Sequence, residues 1–321
     1  MTTIPLPQAA TPASRESIAA FLAQRLRGEV RFGTQDRMLY ATDASLYQVE
    51  PVGVVIPADT DDARLAVQLC AELGLPVLPR GGGTSLAGQC TNHAVVIDLS
   101  PNCRSILHLD AAGRTVTVEP GITVDDLNDS IAASGLFFAP DPATSRHANI
   151  GGCIGNNAAG ARSVRYGRTS ENLISLDVAL ADGRAARLGA GADLNGATER
   201  ELTLRVCDIV ARNAERIDAR FPKTLRRNAG YGLDMILAAM RRGGWRGEPI
   251  SGTARPAWLD HVNLAHLLCG SEGTLAVTLG ATLSLHPRPK AKGLAVLGFS
   301  DLDEAIAATL PILTTSPTAI E

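Results

Sequence analysis

Aromatic side chains are scarce in this sequence. Phe, Trp and Tyr make up 4% of its 321 residues, against 45% hydrophobic residues in all. The interior must therefore be filled by Ala, Val, Leu and Ile, and a chain of this length can bury a sizeable core, one large domain plus part of another. An excess of positive charge is also missing. The net charge is −3, and the pairs Arg226-Arg227 and Arg241-Arg242 are too short for a polyanion-binding stripe, so nucleic acid is not an expected partner. Nowhere do 18 apolar residues run together, which excludes a spanning helix. The stretch from Met1 to Pro12, rich in Pro, Thr and Ala, lacks the basic-then-apolar layout of a secretory signal. Cysteines stand at 70, 90, 103, 153, 207 and 269. They form no Cys-x-x-Cys, so the usual spacing of an iron–sulfur cluster or a structural zinc is absent. Flanked mostly by apolar residues, they read as reduced, buried thiols of a cytoplasmic protein. Of the histidines at 93, 108, 147, 261, 266 and 286, His261 and His266 miss the i, i+4 spacing of a helical metal pair. No metal site is expected.

Glycine, by contrast, is concentrated. Residues 77–88 read Val-Leu-Pro-Arg-Gly-Gly-Gly-Thr-Ser-Leu-Ala-Gly. A short apolar strand thus ends at Arg80 and runs into Gly81, Gly82 and Gly83, then Thr84, Ser85 and Gly88. Residues without a Cβ can turn with φ > 0 and bring backbone N–H groups up to a ligand, and a row of such groups makes a nest for phosphate oxygens. A plain turn between two strands is the alternative for this loop taken alone. The Gly-Lys-Ser/Thr ending of a P-loop is missing. No helix follows either, because the polar stretch Gln89 to His93 leads into an apolar strand, Ala94 to Leu99. Strand–loop–strand therefore replaces the strand–loop–helix of a Rossmann unit. A second cluster runs from Asp141 to Gly160 through Thr144, Ile150-Gly151-Gly152 and Asn157, and is followed by Tyr166-Gly167 and the apolar run that starts at Leu173. A third, Gly270-Ser-Glu-Gly-Thr-Leu-Ala-Val277, carries Glu272. Three glycine clusters, each beside a β-rich segment, point to one large ligand touched from several sides.

In their order along the chain these motifs resemble the PCMH-type FAD-binding domain of the vanillyl-alcohol oxidase/p-cresol methylhydroxylase flavoproteins. The likeness is to the branch that holds D-lactate dehydrogenase, the glycolate oxidase FAD subunit and D-2-hydroxyglutarate dehydrogenase. Lys223 to Leu233, which contains Arg227-Asn-Ala-Gly-Tyr231, and Tyr40-Ala-Thr-Asp-Ala-Ser-Leu-Tyr47 add to it. The resemblance covers residues 35–290. It implies FAD held by Arg80, Gly81, Gly82, Gly83, Thr84, Ser85, Gly88, Asp141, Thr144, Ile150, Gly151, Gly152, Asn157, Gly160, Tyr166, Gly167, Leu173 and Glu272. Gly83-Thr84 stand where several members carry a linking His, so the flavin is expected to be non-covalent, with Cys153 as the residue to watch.

The activity implied is oxidation of a D-2-hydroxy acid such as D-lactate, glycolate or D-2-hydroxyglutarate, with hydride passing to flavin N5. No catalytic residue is assigned, because the branch's carboxylate-gripping arginines and catalytic histidine lie in the cap and the segment after it. The small-molecule partner is the hydroxy acid, and the electron acceptor is open. Attachment at the inner membrane through that acceptor is the variant of a cytoplasmic location. Two alternatives stand: a FAD-binding but inactive fragment, and a sister-branch flavin oxidase acting on another alcohol.

The fold class expected is α+β, a two-lobed FAD-binding domain followed by the start of a truncated cap domain. Residues 1–34 form a helical extension, 35–290 the FAD domain (lobes about 35–170 and 171–290, with a loop insertion at 241–257), and 291–321 the beginning of the cap. Helices are expected from Ser14 to Leu26, from Asp59 to Leu73 with Gly74 as the stop, from Val124 to Ser134 with Gly135 as the stop, and from Glu199 to Arg220 ahead of Pro222. Strands are expected at Val54–Ile56, Thr115–Glu119, Asn172–Leu180 leading to a hairpin at Asp182-Gly183, and Leu294–Phe299, with another starting at Pro317. Ser300 or Asp301 should cap a last helix.

Overall fold

A computed structural model describes residues 14–224, 226–250 and 255–321. The chain enters through α1 (Arg15–Ala23), whose N-cap Ser14 accepts a hydrogen bond from the Ser17 N–H. Then come β1 (Glu29–Arg31), α2 (Thr34–Leu39), β2 (Gly53–Ile56), α3 (Thr60–Glu72), β3 (Val77–Arg80) and β4 (Val95–Asp98). These strands form one sheet in the order β1-β2-β4-β3, in which β2, β4 and β3 are parallel and β1 is antiparallel to β2. Every residue of β2 and β4 is buried, the pattern of parallel strands covered on both faces. Val55, Val95 and Ile97 pack with Ala63, Val67 and Cys70 of α3, whereas Val54, Leu78 and Val96 face the opposite side together with Tyr40. Asp59 caps α3 by accepting from the Asp62 N–H, and Gly74 at φ +64° ends it.

Parallel neighbours need a long crossover, usually a helix. Between β3 and β4 that crossover is the helix-free segment 81–94, so the first glycine motif sits on a connection that must span the sheet without secondary structure of its own.

The second sheet follows. It contains β5 (Ile106–Asp110), β6 (Thr115–Val118), then, beyond the short β7 (Leu136–Phe137), β8 (Leu173–Ala179), β9 (Ala185–Leu188) and β10 (Val277–Ser284). Its order is β5-β6-β10-β8-β9, antiparallel throughout. A small ribbon pairs β7 with β11 (His286–Pro287). Short helices α4 (Val124–Ser130) and α5 (Ile150–Asn156) cover this sheet, and α6 (Ser163–Tyr166) lies beside the ribbon, Tyr166 packing on Phe137 and His286. Val116, Phe138, Ile150, Ile154, Leu176 and Leu283 make its core. The helices α7 (Ala197–Arg212), α8 (Ala214–Arg220) and α9 (Leu233–Arg242) gather a third core with Trp245, Trp258 and Leu259, and α10 (Ala265–Leu268) leads to the third glycine cluster. Last comes α11 (Leu302–Leu313), capped by Asp301. Among the described residues, no helix is long and apolar enough to cross a membrane.

Several expectations need correction. Residues 294–299 belong to no sheet; Leu294 and Val296 are 92% and 87% exposed, because no neighbouring strand offers its backbone groups to them. The residues from Pro317 onward are likewise unpaired. The helix expected over 199–220 is interrupted at Asn213, whose amide turns back to the Ile209 carbonyl at 2.8 Å. The helix at 124–134 is α-helical to Ser130 and finishes as a tighter 3-10 turn before Gly135 at φ +72°. α1 ends at Ala23, short of Leu26. Of the loop at 241–257, residues 251–254 lie outside the described residues, and Trp245 is buried in the third core, with its indole N–H donating to Glu248 O.

Candidate functional site

The crossover loop leaves its backbone donors unspent. Gly82 N donates to Asn149 Oδ1 at 2.6 Å and Ala87 N to Gln89 Oε1 at 3.1 Å. Between them the N–H groups of Gly83, Thr84, Ser85 and Leu86 have no acceptor among the described residues. Four consecutive free donors on a loop that starts with Gly83 at φ +64° and closes with Gly88 at φ +82° make an anion-binding row. Gly82 is a correction to the expectation of positive φ. Its φ is ordinary, and it is required because an added Cβ would fall on the His147 carbonyl oxygen.

The second cluster is not a loop throughout. Ile150 to Asn156 form α5, which begins with Ile150 N and Gly151 N donating to the carbonyls of Ile122 and Pro120, both at 2.8 Å. Gly151, Gly152 and Gly155 line a partly open cleft that encloses about 750 Å³, solvent-facing space included. A Cβ at Gly152 would meet no atom within 4 Å, and one at Gly155 only the Glu272 Cα at 3.7 Å. This helix therefore offers bare backbone to the cleft, room that any side chain would fill.

Opposite stands the third cluster. Glu272 takes φ +52°, unusual for a residue with a side chain. Its N–H donates to Gly155 O at 2.9 Å. Its carboxylate oxygen Oε1 accepts from Gln89 Nε2 at 3.1 Å and from Asn156 Nδ2 at 3.4 Å. One side chain thus joins all three glycine clusters. Pro79, Arg80, Gly81, Ser85, Gly273 and Ser271 complete the nearby walls. A second, more open cavity, about 1140 Å³ with its solvent-facing space, adjoins the outer side of the loop against Thr42, Asp43, Gly82, Gly83, Thr84, Thr144 and His147, and Arg80 borders both.

The other expected residues frame these spaces. Gly88 borders a third hollow beside Gln89 and Glu272. Gly160 lies so close to Asp141 that a Cβ would strike its carbonyl, while Asp141 Oδ1 accepts from Arg162 N at 3.1 Å. Asn157, buried at φ +50°, accepts from Ser170 N at 3.0 Å. Tyr166 packs edge-on to Phe137 and His286, with centroids 5.4 Å and 4.9 Å away. Gly167 at φ +76° abuts Glu171, and Ile150 and Leu173 are buried in the second core. Cys153 belongs to that core too, with its thiol pushed up to about 12 by burial. Sequence reading missed Asn149, Gln89 and Asn156. Asn149 is 4% exposed and joins Gly82 N to Gly121 O. A buried amide bridging two loops has no periodic signature, and only its place at the head of α5 could have flagged it.

Residues 51–189 match the FAD binding domain family. A D-2-hydroxyglutarate dehydrogenase of Pantoea ananatis is 30% identical over 294 residues, 88% of this chain and 27% of that protein. The glycolate oxidase subunit GlcD of Bacillus subtilis is 28% identical over 271 residues, 84% of this chain and 44% of the relative. The mitochondrial D-lactate dehydrogenase (cytochrome) 1 of Saccharomyces cerevisiae is 27% identical over 258 residues, 79% and 33%. The chain thus spans less than half the length of each relative. A solved alkyldihydroxyacetonephosphate synthase shares the fold at TM-score 0.64 and 17% identity, covering 98% of this chain and 49% of that one. Residues 51–189 accordingly match the FAD binding domain family, and FAD is the cofactor that this match and the relatives support.

Proposed function

We propose that this chain is the FAD-binding portion of an oxidoreductase that oxidises a D-2-hydroxy acid such as D-lactate, glycolate or D-2-hydroxyglutarate. The observation that carries the reading is the convergence of three glycine segments at Glu272, in a chain similar to hydroxy-acid dehydrogenases and oxidases over most of its length. When bound, FAD supplies the hydride acceptor at its N5. The N–H row from Gly83 to Leu86 holds the pyrophosphate, Gly152 and Gly155 let the cofactor approach the α5 backbone, and Glu272 with Gln89 offers acceptors and donors to sugar or base. Binding is non-covalent: Gly83-Thr84 stand where a linking His would, Cys153 is buried apart from the cleft lining, and Cys90, which borders the cleft, has its thiol pKa raised by burial and lies 3.3 Å from Ser85 Oγ. The FAD domain extends over residues 35–290, and 291–321 begin a substrate domain.

One observation favours a narrower role for these residues taken alone. Among the described residues, Arg80 is the only cation lining the cleft, and its nitrogens donate to backbone carbonyls, which leaves no clamp there for a substrate carboxylate. The purified chain should therefore be yellow, and denaturation should release FAD into solution, while D-lactate or D-2-hydroxyglutarate with a dye acceptor should give negligible turnover. Colourless protein that takes up no FAD would sink the reading. Flavin retained on the precipitated polypeptide would refute non-covalent binding, and robust turnover would place the clamp within this chain, with Arg165 and Arg226 first to be mutated.

A further inference from the structure

We propose that residues 40–48 are a strap that sets the shape of the first glycine loop, with Tyr40, away from the cleft, and Arg80, at its wall, as positioning residues that govern FAD capture through the backbone they hold. The proposal rests on the FAD reading of the cleft.

Arg80 stands at the end of β3, beside the free N–H row, where a guanidinium would ordinarily be aimed at phosphate. Its donors go elsewhere. Nη1 donates to Tyr40 O at 3.1 Å and Cys90 O at 3.0 Å, and Nη2 to Thr42 O at 2.8 Å. Its Cζ also lies 5.2 Å from the centre of the Tyr40 ring. Three carbonyls from two separate segments are thus tied by one planar fork, a task that a single ammonium cannot reproduce.

Tyr40 is anchored in turn. Its hydroxyl donates to Asp98 Oδ2 at 2.6 Å, and the other Asp98 oxygen accepts from the Ser100 N–H at 3.0 Å and the Ser100 hydroxyl at 2.7 Å. Asp98 is 6% exposed at the end of β4. The strap therefore hangs from the parallel sheet at one end. Thr42 bridges to Gln48 to close it, and it grips the loop at two places. Ala44 N donates to Gly83 O at 3.0 Å, and Cys90 N to Asp43 Oδ2 at 3.3 Å. Those grips lie on either side of the free donors of residues 84–86. Tyr47 covers Gly88, where an added Cβ would come within 2.7 Å of the ring. The outer side carries little else, since Leu46 and Tyr47 are largely exposed. A loop without secondary structure must have its N–H groups ordered before a phosphate can use them all, and preorganisation lowers that cost. Neither Tyr40 nor Asp98 lines the cleft or the adjoining cavity.

The test uses the full chain, freed of FAD and titrated with FAD by flavin fluorescence, at a temperature where every variant is folded. Tyr40→Phe and Arg80→Lys should each weaken FAD binding by about tenfold, the loss of a charge-assisted hydrogen bond or more. In FAD-free protein, chymotrypsin should cut after Leu46 or Tyr47 faster in both variants. Val210→Ala, which removes buried methyls from the helical core, should lower thermal stability yet leave FAD affinity unchanged. Tyr40→Phe binding FAD like wild type would overturn the proposal. So would normal binding by Arg80→Lys beside weak binding by Arg80→Gln, because charge alone would then be sufficient. Equal weakening by Val210→Ala at equal loss of stability would reduce the effect to global destabilisation and overturn it too. Wild-type protein that takes up no FAD would refute the cofactor reading itself, a result distinct from wild type that binds with unaffected variants.

Discussion

Gly82 and Gly83, which border the outer cavity, and Gly152, which lines the cleft, are glycine for different physical reasons. At Gly82 a side chain would meet the His147 carbonyl, at Gly83 it would be forced to φ +64°, and at Gly152 it would meet no atom within 4 Å. Substitutions should separate these cases. Gly82→Val should lower the melting temperature in FAD-free protein, because the collision is with the protein's own backbone. Gly152→Ala lies inside α5, where alanine gains about 0.5–1 kcal/mol over glycine. It should hold or raise stability while weakening FAD, since its methyl occupies cleft space. Thermal melts and FAD titrations of the two variants check this, and unchanged FAD affinity in Gly152→Ala would show that the cofactor does not approach that helix face. The glycine positions were legible in the sequence. Which of them answer to ligand and which to neighbouring chain was not, because the Gly82–His147 contact joins residues far apart in sequence.

At the scale of elements, the segment 226–232 braces the third glycine cluster. Gly270 adopts φ +95°, and an added Cβ there would come within 2.8 Å of Gly230 O and 3.0 Å of Asn228 O. Thr274 Oγ1 donates to Ser271 O at 2.6 Å, so at the 2.9 Å contact with Tyr231 the tyrosine hydroxyl is the donor. Tyr231→Phe should cost about 1 kcal/mol, and Gly270→Ala more, through both strain and collision. Both should speed FAD release. Denaturant midpoints and stopped-flow release of the flavin measure the two effects, and an unchanged release rate in both variants would refute the brace. Most element types could be read from the chain, since Asp59, Gly74 and Gly135 mark helix ends by local chemistry. α5 escaped because Gly151, Gly152 and Gly155 lower helix propensity locally, and packing of Ile150, Cys153 and Ile154 into the second core overrides it. Residues 294–299 misled in the opposite direction, with strand-like composition and no strand to pair with.

For the whole molecule, acid should be destabilising before the carboxylates titrate. Burial lowers the pKa of His266 below its ordinary 6.5, and burial followed by the charge of Arg114 lowers that of His286. In the folded protein both are neutral where unfolded histidine begins to take up protons. The unfolded state then binds more protons as pH falls, so this contribution to stability is present above pH 6.5 and is lost below it. Asp141, raised by burial, works in the opposite sense. The melting temperature is expected to fall between pH 7 and pH 5, and less steeply in a His266→Gln, His286→Gln double variant. An identical slope in that variant would show that these histidines do not set the acid limb.

The sequence by itself determined the mixed α/β content, the three glycine clusters and their order, the strand–loop–strand setting of the first, and the kinship with FAD-binding flavoproteins. These rest on local chemistry: capping side chains, apolar periodicity, and backbone freedom at glycine. Only the tertiary structure decided that Glu272 joins all three clusters, that Asn149 links the first loop to the head of α5, and that Arg80 holds a strap of backbone carbonyls. Those arrangements depend on hydrogen-bond partners separated by tens to nearly two hundred positions. Nothing in the local pattern of either partner encodes them, because each is selected by the packing of the two sheets that brings the segments within reach.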